Sequence, residues 1–319
     1  MPLCGMGPSP TALSREDVAC VLNILARYLN VNSFVIVALL AALLEGLVLS
    51  RTAQGYNWKS YAVSIADRLL AATHVLAFSA GAPVLAFLYA HRLLHFQLAA
   101  VWQFGVLFLG VEFCYYWFHR ASHRVRWFWA NHSVHHSPNE FNLGVAYRLG
   151  ITGAVAGTLL FYSPMAILGF DPLVVGTVLS LNIFYQLWIH ATWIPKLGPL
   201  EYVLNTPSHH RVHHARQVEY LDANYGGTLI IFDRLFGTFI EERVDLPCEY
   251  GLVKRLTSYN PIYVEFHVWW AMVRDVASSR SLREVVGYVF GAPGWAPDGK
   301  GQTTADLRAA AGLPHNLGM

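Results

Sequence analysis

The 319 residues include 55% hydrophobic and only 13% charged side chains, with a formal net charge of +2 and a mean hydropathy of +0.36. An ordinary soluble domain carries roughly 25% charged residues, so this chain lacks the charge to cover a globular surface in water. It is also too apolar to be disordered, and its small net charge excludes the basic stripe of a nucleic-acid binder.

Residues 1–27 form an N-terminal segment with no positive region before an early apolar stretch, unlike a cleaved signal peptide. Five long, nearly uncharged runs follow: 28–50 (Glu45 alone), 69–90, 93–118 (Glu112 alone), 149–170 and 172–195. Each reaches the roughly 20 residues that a membrane-crossing helix needs. The expected fold is therefore an all-α integral membrane protein with four to five embedded helices and a cytoplasmic helical cap holding a poly-histidine dimetal site. The turn Gly169-Phe170-Asp171-Pro172 joins the last two runs into a hairpin, which puts residues 120–148 and everything after 195 on one side. That side holds Arg120, Arg124, Arg126 and Arg148, then Lys196, Arg211, Arg216, Arg234 and Arg243, so the positive-inside rule makes it cytoplasmic. Beyond the last run the charge density rises, as expected of a cap, and Ile262 to Val276 read as an amphipathic helix. Residues 28–290 thus form the membrane-embedded unit, with a core at about 105–270, and the Gly- and Pro-rich 291–319 read as a loosely ordered tail. Cys4, Cys20, Cys114 and Cys248 are scattered and imply neither disulfides nor a thiolate site.

Fifteen histidines are the unusual feature. His119 and His123 form an HxxxH box, His132, His135 and His136 an HxxHH box, His190 closes the fifth run, and His210, His213 and His214 form a second HxxHH box. Helical positions three and four apart share a face, so each box aims its imidazoles at one point. These nine are the candidate metal ligands and catalytic centre, enough for two ions. His74, His91, His95, His267 and His315 read as ordinary polar residues, and His209 lies off the stripe of its box. The pattern is neither HExxH nor the Glu plus ExxH set of soluble di-iron bundles. Imidazole suits zinc, copper, iron or nickel. A dinuclear site at the ends of apolar runs suits O2-dependent attack on a lipid C–H bond, which redox-inert zinc does not perform, so two iron ions are expected.

Glu112, Tyr116, His119 and His123 fall on one helical stripe, which predicts Glu112 as acceptor for the second N–H of a ligand imidazole. Asn182, Gln186 and His190 make a similar stripe, either lining a substrate cavity or packing helices. Asp222 and Asn224 are candidates for supporting the histidines, whereas Asp233 reads as a turn residue and Glu45 has no evident histidine partner.

Taken together, the passages Tyr115 to Arg120, Trp129 to Ser137, Tyr185 to His190, Leu197 to Glu201, Asn205 to His214, Asn224 to Gly227 and Phe236 to Phe239 resemble the fatty acid hydroxylase/sterol desaturase superfamily. Within it the likeness is to the alkylglycerol monooxygenases and their bacterial relatives. The resemblance covers about half the chain and implies a membrane-bound di-iron enzyme that hydroxylates or desaturates a lipid with O2. The chain departs from those relatives at Gly144 to Leu149, at Arg124 in place of an acid, and at Phe232 in place of Trp. It has no dinucleotide fingerprint, haem motif or Fe–S cysteine set, so electrons must come from a separate redox partner or a diffusible reductant. The resemblance makes tetrahydropterin one such donor. The competing readings are a lipid or sterol desaturase with the same site and, in another class, a His-rich metal-binding or transport protein. Transporters place ligands near the bilayer midplane, whereas these boxes sit at the ends of the runs.

Overall fold

The computed structural model describes residues 31–52, 55–70, 74–96 and 100–314; the N-terminal segment 1–27 and His315 lie outside these. The described residues are helical, with two isolated β-bridges, Leu204 to Leu229 and Ala215 to Tyr250. Helices α1 (Val31–Leu49), α2 (Trp58–Leu70) and α3 (His74–Ala90) precede α4 (Val101–Arg124) and α5 (Arg126–His132). After α6 (Gly153–Ala156) and α7 (Ser163–Leu168) comes α8 (Pro172–Ile189), started by the Asp171 carboxylate, which accepts from the Leu173 N–H.

Two helices, α4 and α8, are long and apolar enough to cross a membrane. At 1.5 Å per residue they reach about 36 Å and about 27 Å, close to the hydrocarbon thickness. They pack side by side: Leu107, Val111, Cys114 and Tyr115 of α4 form a core with Val175 and Leu179 of α8, closed by Tyr162, Met165 and Phe170. Their outer faces present Val101, Trp102, Val106, Leu109 and Phe113 on α4, and Leu173, Leu181 and Ile183 on α8. Such a continuous apolar surface is unstable in water and suits lipid. Both helices run the same way. Their N-terminal ends meet where Phe96 stacks on Phe170 at 4.6 Å, and their C-terminal ends deliver His123 and His190 to the cap.

The run 149–170 is not the continuous span that its composition predicts. It is divided into α6, a 3-10 turn at Thr158–Tyr162 and α7. Gly157 ends α6 in the left-handed region at φ +77°, a conformation that a side-chain-bearing residue rarely adopts. The apolar helical stretch at Thr158–Leu168 is shorter than a span, so apolar composition alone overstates the helix in this run.

The cap comprises α9 (Pro207–His213), α10 (Ile231–Leu235), α11 (Pro261–Ala277), α12 (Leu282–Phe290) and α13 (Thr304–Ala310). Helix α11 matches the expected amphipathic segment; Asn260 caps it, and it buries Val264, Glu265 and Met272 while Tyr263, Phe266 and Trp270 face outward. The region after Gly291 is packed rather than loose. Thr303 and Asp306 form a reciprocal capping box at the start of α13, and the buried Arg308 donates to the Pro314, Val218 and Glu219 carbonyls. Glycine and proline counts do not reveal this anchor, which depends on one side chain. Arg308→Ala should release the segment beyond residue 300, seen as faster limited proteolysis there with the rest of the cap still protected; unchanged cleavage would refute the anchoring role.

Candidate metal centre

Helix α4 carries His119 and His123, α5 and the turn after it carry His132, His135 and His136, the end of α8 carries His190, and α9 with its cap carries His210, His213 and His214. The fold sorts these nine into two groups. His119, His123, His132, His136 and His213 form one; His135, His190, His210 and His214 form the other, with the ligand atoms of each group within 4.8 Å of one another. Eight are buried and His132 is half-buried.

Hydrogen bonding fixes which nitrogens face inward. Nδ1 of His119, His135, His190 and His213 lies 2.8, 3.0, 2.6 and 2.9 Å from the carbonyl oxygens of Tyr225, Arg148, Gln186 and Ala223. A carbonyl can only accept, so each of these Nδ1 atoms donates its proton and each Nε2 is left with a bare lone pair. Yet Nε2 of His135 and of His190 are 3.3 Å apart. Neither has a proton for the other, so the contact is repulsive unless a cation sits between them. Further Nε2 pairs are His119 with His132 at 2.9 Å and His190 with His210 at 3.0 Å. Two nitrogens each about 2.1 Å from one ion, at right angles, stand about 3.0 Å apart. Nε2 of His123 and of His213 is buried without a hydrogen-bond partner. The residues therefore fit two metal ions. Burial first, then the charge of neighbouring imidazoles, pushes His132, His136, His210, His213 and His214 well below 6.5 and His135 down to about 4. They are neutral at pH 7, the state in which imidazole binds metal.

The carbonyls that orient the imidazoles are held by buried polar residues. Asp233, fully buried, accepts from the Tyr225 and Gly226 N–H groups at 2.7 Å and from the Thr238 hydroxyl at 2.6 Å, and burial raises it to about 6. It shapes the turn whose Tyr225 carbonyl meets His119. Asp222 and Asn224 both have positive φ, 60° and 56°, on either side of Ala223, whose carbonyl meets His213. That strain is held by Asn224, which donates to the His209 and Ile240 carbonyls and accepts from the Ile240 N–H. Asp222 lies 3.6 Å from His123 Nδ1 and 3.8 Å from Arg124.

Residues 104–238, which contain all nine histidines, match the family model described as fatty acid hydroxylase. The matched segment is somewhat less than half of the chain and contains both histidine groups. The chain is 41% identical over 207 residues to human alkylglycerol monooxygenase, covering 65% of this chain and 46% of that protein. It is 34% identical over 215 residues to the Caenorhabditis elegans protein of the same name, covering 65% and 42%. It is 30% identical over 128 residues to ornithine lipid hydroxylase OlsE of Rhizobium tropici, covering 40% and 39%. The chain thus spans less than half the length of each of these relatives. No solved structure matches it.

Around the histidines several supporting residues sit differently from their sequence-based roles. Glu112 touches no imidazole. Its carboxylate accepts from Asn182 and from the Thr228 and Leu229 N–H groups, both at 2.9 Å, and so joins α4 to α8 and to the 225–229 turn. The stripe geometry is right, but the side chain reaches across to α8 instead of along α4. Asn182 and Gln186 belong to the same network: Gln186 donates to Asn182 at 2.7 Å and accepts from Tyr115 at 2.8 Å, while its backbone carbonyl meets His190. Gly227 is required there, because a Cβ would lie 2.2 Å from Asn182. His209 stays outside both groups, 3.7 Å from Glu201. Glu45, as expected, meets no histidine here; it accepts from the Leu143 N–H at 2.7 Å and the Trp193 indole at 2.9 Å. Asp233 and the Arg148 carbonyl are the contributors that spacing missed, since neither lies at a ligand interval from a histidine. Glu112→Gln leaves one buried donor without an acceptor, at a cost of about 1–3 kcal/mol. Its melting temperature should fall while metal content holds; loss of metal at an unchanged melting temperature would restore a direct role toward an imidazole.

Proposed function

We propose that this protein is a membrane-bound di-iron monooxygenase that hydroxylates a C–H bond of a lipid. The observation that carries the reading is the sorting of nine imidazoles into two groups at the C-terminal ends of two apolar helices. The relatives named for alkylglycerol and ornithine lipid oxidation support a long-chain lipid with a polar head. Iron, when bound, would supply oxygen activation and the one-electron steps that imidazole and zinc do not. The protein's own part is positional. His119, His123, His132, His136 and His213 would hold one ion, and His135, His190, His210 and His214 the other. The Tyr225, Arg148, Gln186 and Ala223 carbonyls keep four of these rings from turning, and the apolar bundle lets an alkyl chain approach from the lipid side. Electrons come from an external donor, with tetrahydropterin as the candidate that the alkylglycerol monooxygenase likeness favours.

Purified protein should hold close to two iron equivalents and consume O2 with a lipid that gains one oxygen atom by mass. His135→Ala should lose about one equivalent and all turnover; full O2-dependent turnover in that variant would overturn the assignment.

The chain is further proposed to be multi-pass, with the histidines and cap in the cytoplasm, on the strength of the arginine-rich segments flanking the boxes. Arg148 is buried and unsuitable as a labelling site. In a chain freed of its own cysteines, Asp171→Cys should react with an impermeant thiol reagent on intact cells, while Val244→Cys, at an exposed cap position, should not. The opposite pattern reverses the orientation.

A further inference from the structure

The segment 148–151 supplies the carbonyl that orients His135, and immediately beyond that carbonyl it is pinned twice. The Leu149 N–H donates to Asp67 on α2, and the Ile151 N–H donates to Glu265 on α11, both at 3.0 Å. Each of these acids is 1% exposed. The two side chains also meet, and burial together with the neighbouring Asp67 favours a proton on Glu265. Asp67 Oδ1 is buried with no other donor from the protein. Beside them the buried Arg148 guanidinium is bonded by Ser60, Ser64 and Ser137 instead of by a carboxylate. Glu140 and Tyr259 are the other titratable groups felt at Arg148.

We propose that Asp67 and Glu265 are a positioning pair that clamps residues 148–151 between α2 and α11 and thereby aims His135 at the four-histidine group. The inference rests on the reading of the nine histidines as ligands. Burial, together with the neighbouring Asp67, holds Glu265 up at about 9. The folded chain therefore keeps a proton that the unfolded chain releases near 4.5. The contribution of the pair to stability is greatest below that value and declines as pH rises, and above about 9 the two carboxylates repel each other across the clamp.

The test uses the iron-loaded full chain and reads retained iron and melting temperature after dialysis at about pH 7 and about pH 10. The wild type should keep both equivalents at the lower pH and lose about one at the higher. Glu265→Gln still accepts from Ile151 and donates to Asp67 without titrating, so it should keep both equivalents at both values. Glu265→Ala should hold only about one equivalent at neutral pH; if it fails to fold, Asp67→Asn replaces it, and this variant should remove the alkaline loss as Glu265→Gln does. Alkaline iron loss in Glu265→Gln or Asp67→Asn equal to that of the wild type, or full retention in folded Glu265→Ala, overturns the pair. A wild type without iron at pH 7 overturns the ligand reading itself, and the pair with it.

Discussion

The Nε2 atoms of His135 and His190 face each other at 3.3 Å while both Nδ1 atoms donate to backbone carbonyls. Everything near the centre depends on that arrangement. A pair of imidazoles with one free tautomer between them relaxes into an ordinary hydrogen bond. Locking Nδ1 on both rings removes that escape and leaves converging lone pairs that only positive charge can hold together. The carbonyls of Tyr225, Arg148, Gln186 and Ala223 therefore decide how the histidines function as much as the histidines do.

Those carbonyls come from three different parts of the chain, the 223–225 turn supplying two of them, and buried side chains hold that turn in place. Asp233 fixes Tyr225 through two backbone N–H groups, the strained Asp222 and Asn224 hold Ala223, and Glu112 ties the 228–229 backbone to α4 and α8. The recurring order is acid, backbone N–H, carbonyl, imidazole. A carboxylate bonded directly to a ligand imidazole raises the basicity of the ligand. At His119 the acid stands one peptide away and fixes the ring without putting a full negative charge on it, whereas at His123 the Asp222 carboxylate approaches Nδ1 directly at 3.6 Å.

The histidine spacing was legible in the sequence because a helix converts intervals of three and four into a shared face, whatever surrounds it. The division of nine histidines into five and four was not legible: His136 joins the boxes on α4 and α9, while its neighbour His135 turns toward α8. Adjacent residues of a turn point apart, and spacing carries no record of that. Glu112 shows the same limit from the other side. Its stripe was correctly read, yet the choice between reaching along α4 and across to Asn182 depends on where α8 packs. Composition misled for a different reason at 149–170, where every residue is apolar enough for a span but Gly157 adopts a backbone conformation that breaks the helix.

The direction of the two long helices completes the electrostatics. Both α4 and α8 end at the centre with their C-termini, where unpaired carbonyls give the equivalent of roughly half a negative charge each. No carboxylate belongs to either group of ligands, so neutral imidazoles alone leave the charge of two divalent ions uncompensated. The convergence of two helix C-termini, reinforced by the carbonyls on Nδ1, supplies diffuse negative potential at the metal-bearing end of the bundle without a carboxylate among the grouped ligands. The same geometry disfavours anions at that end.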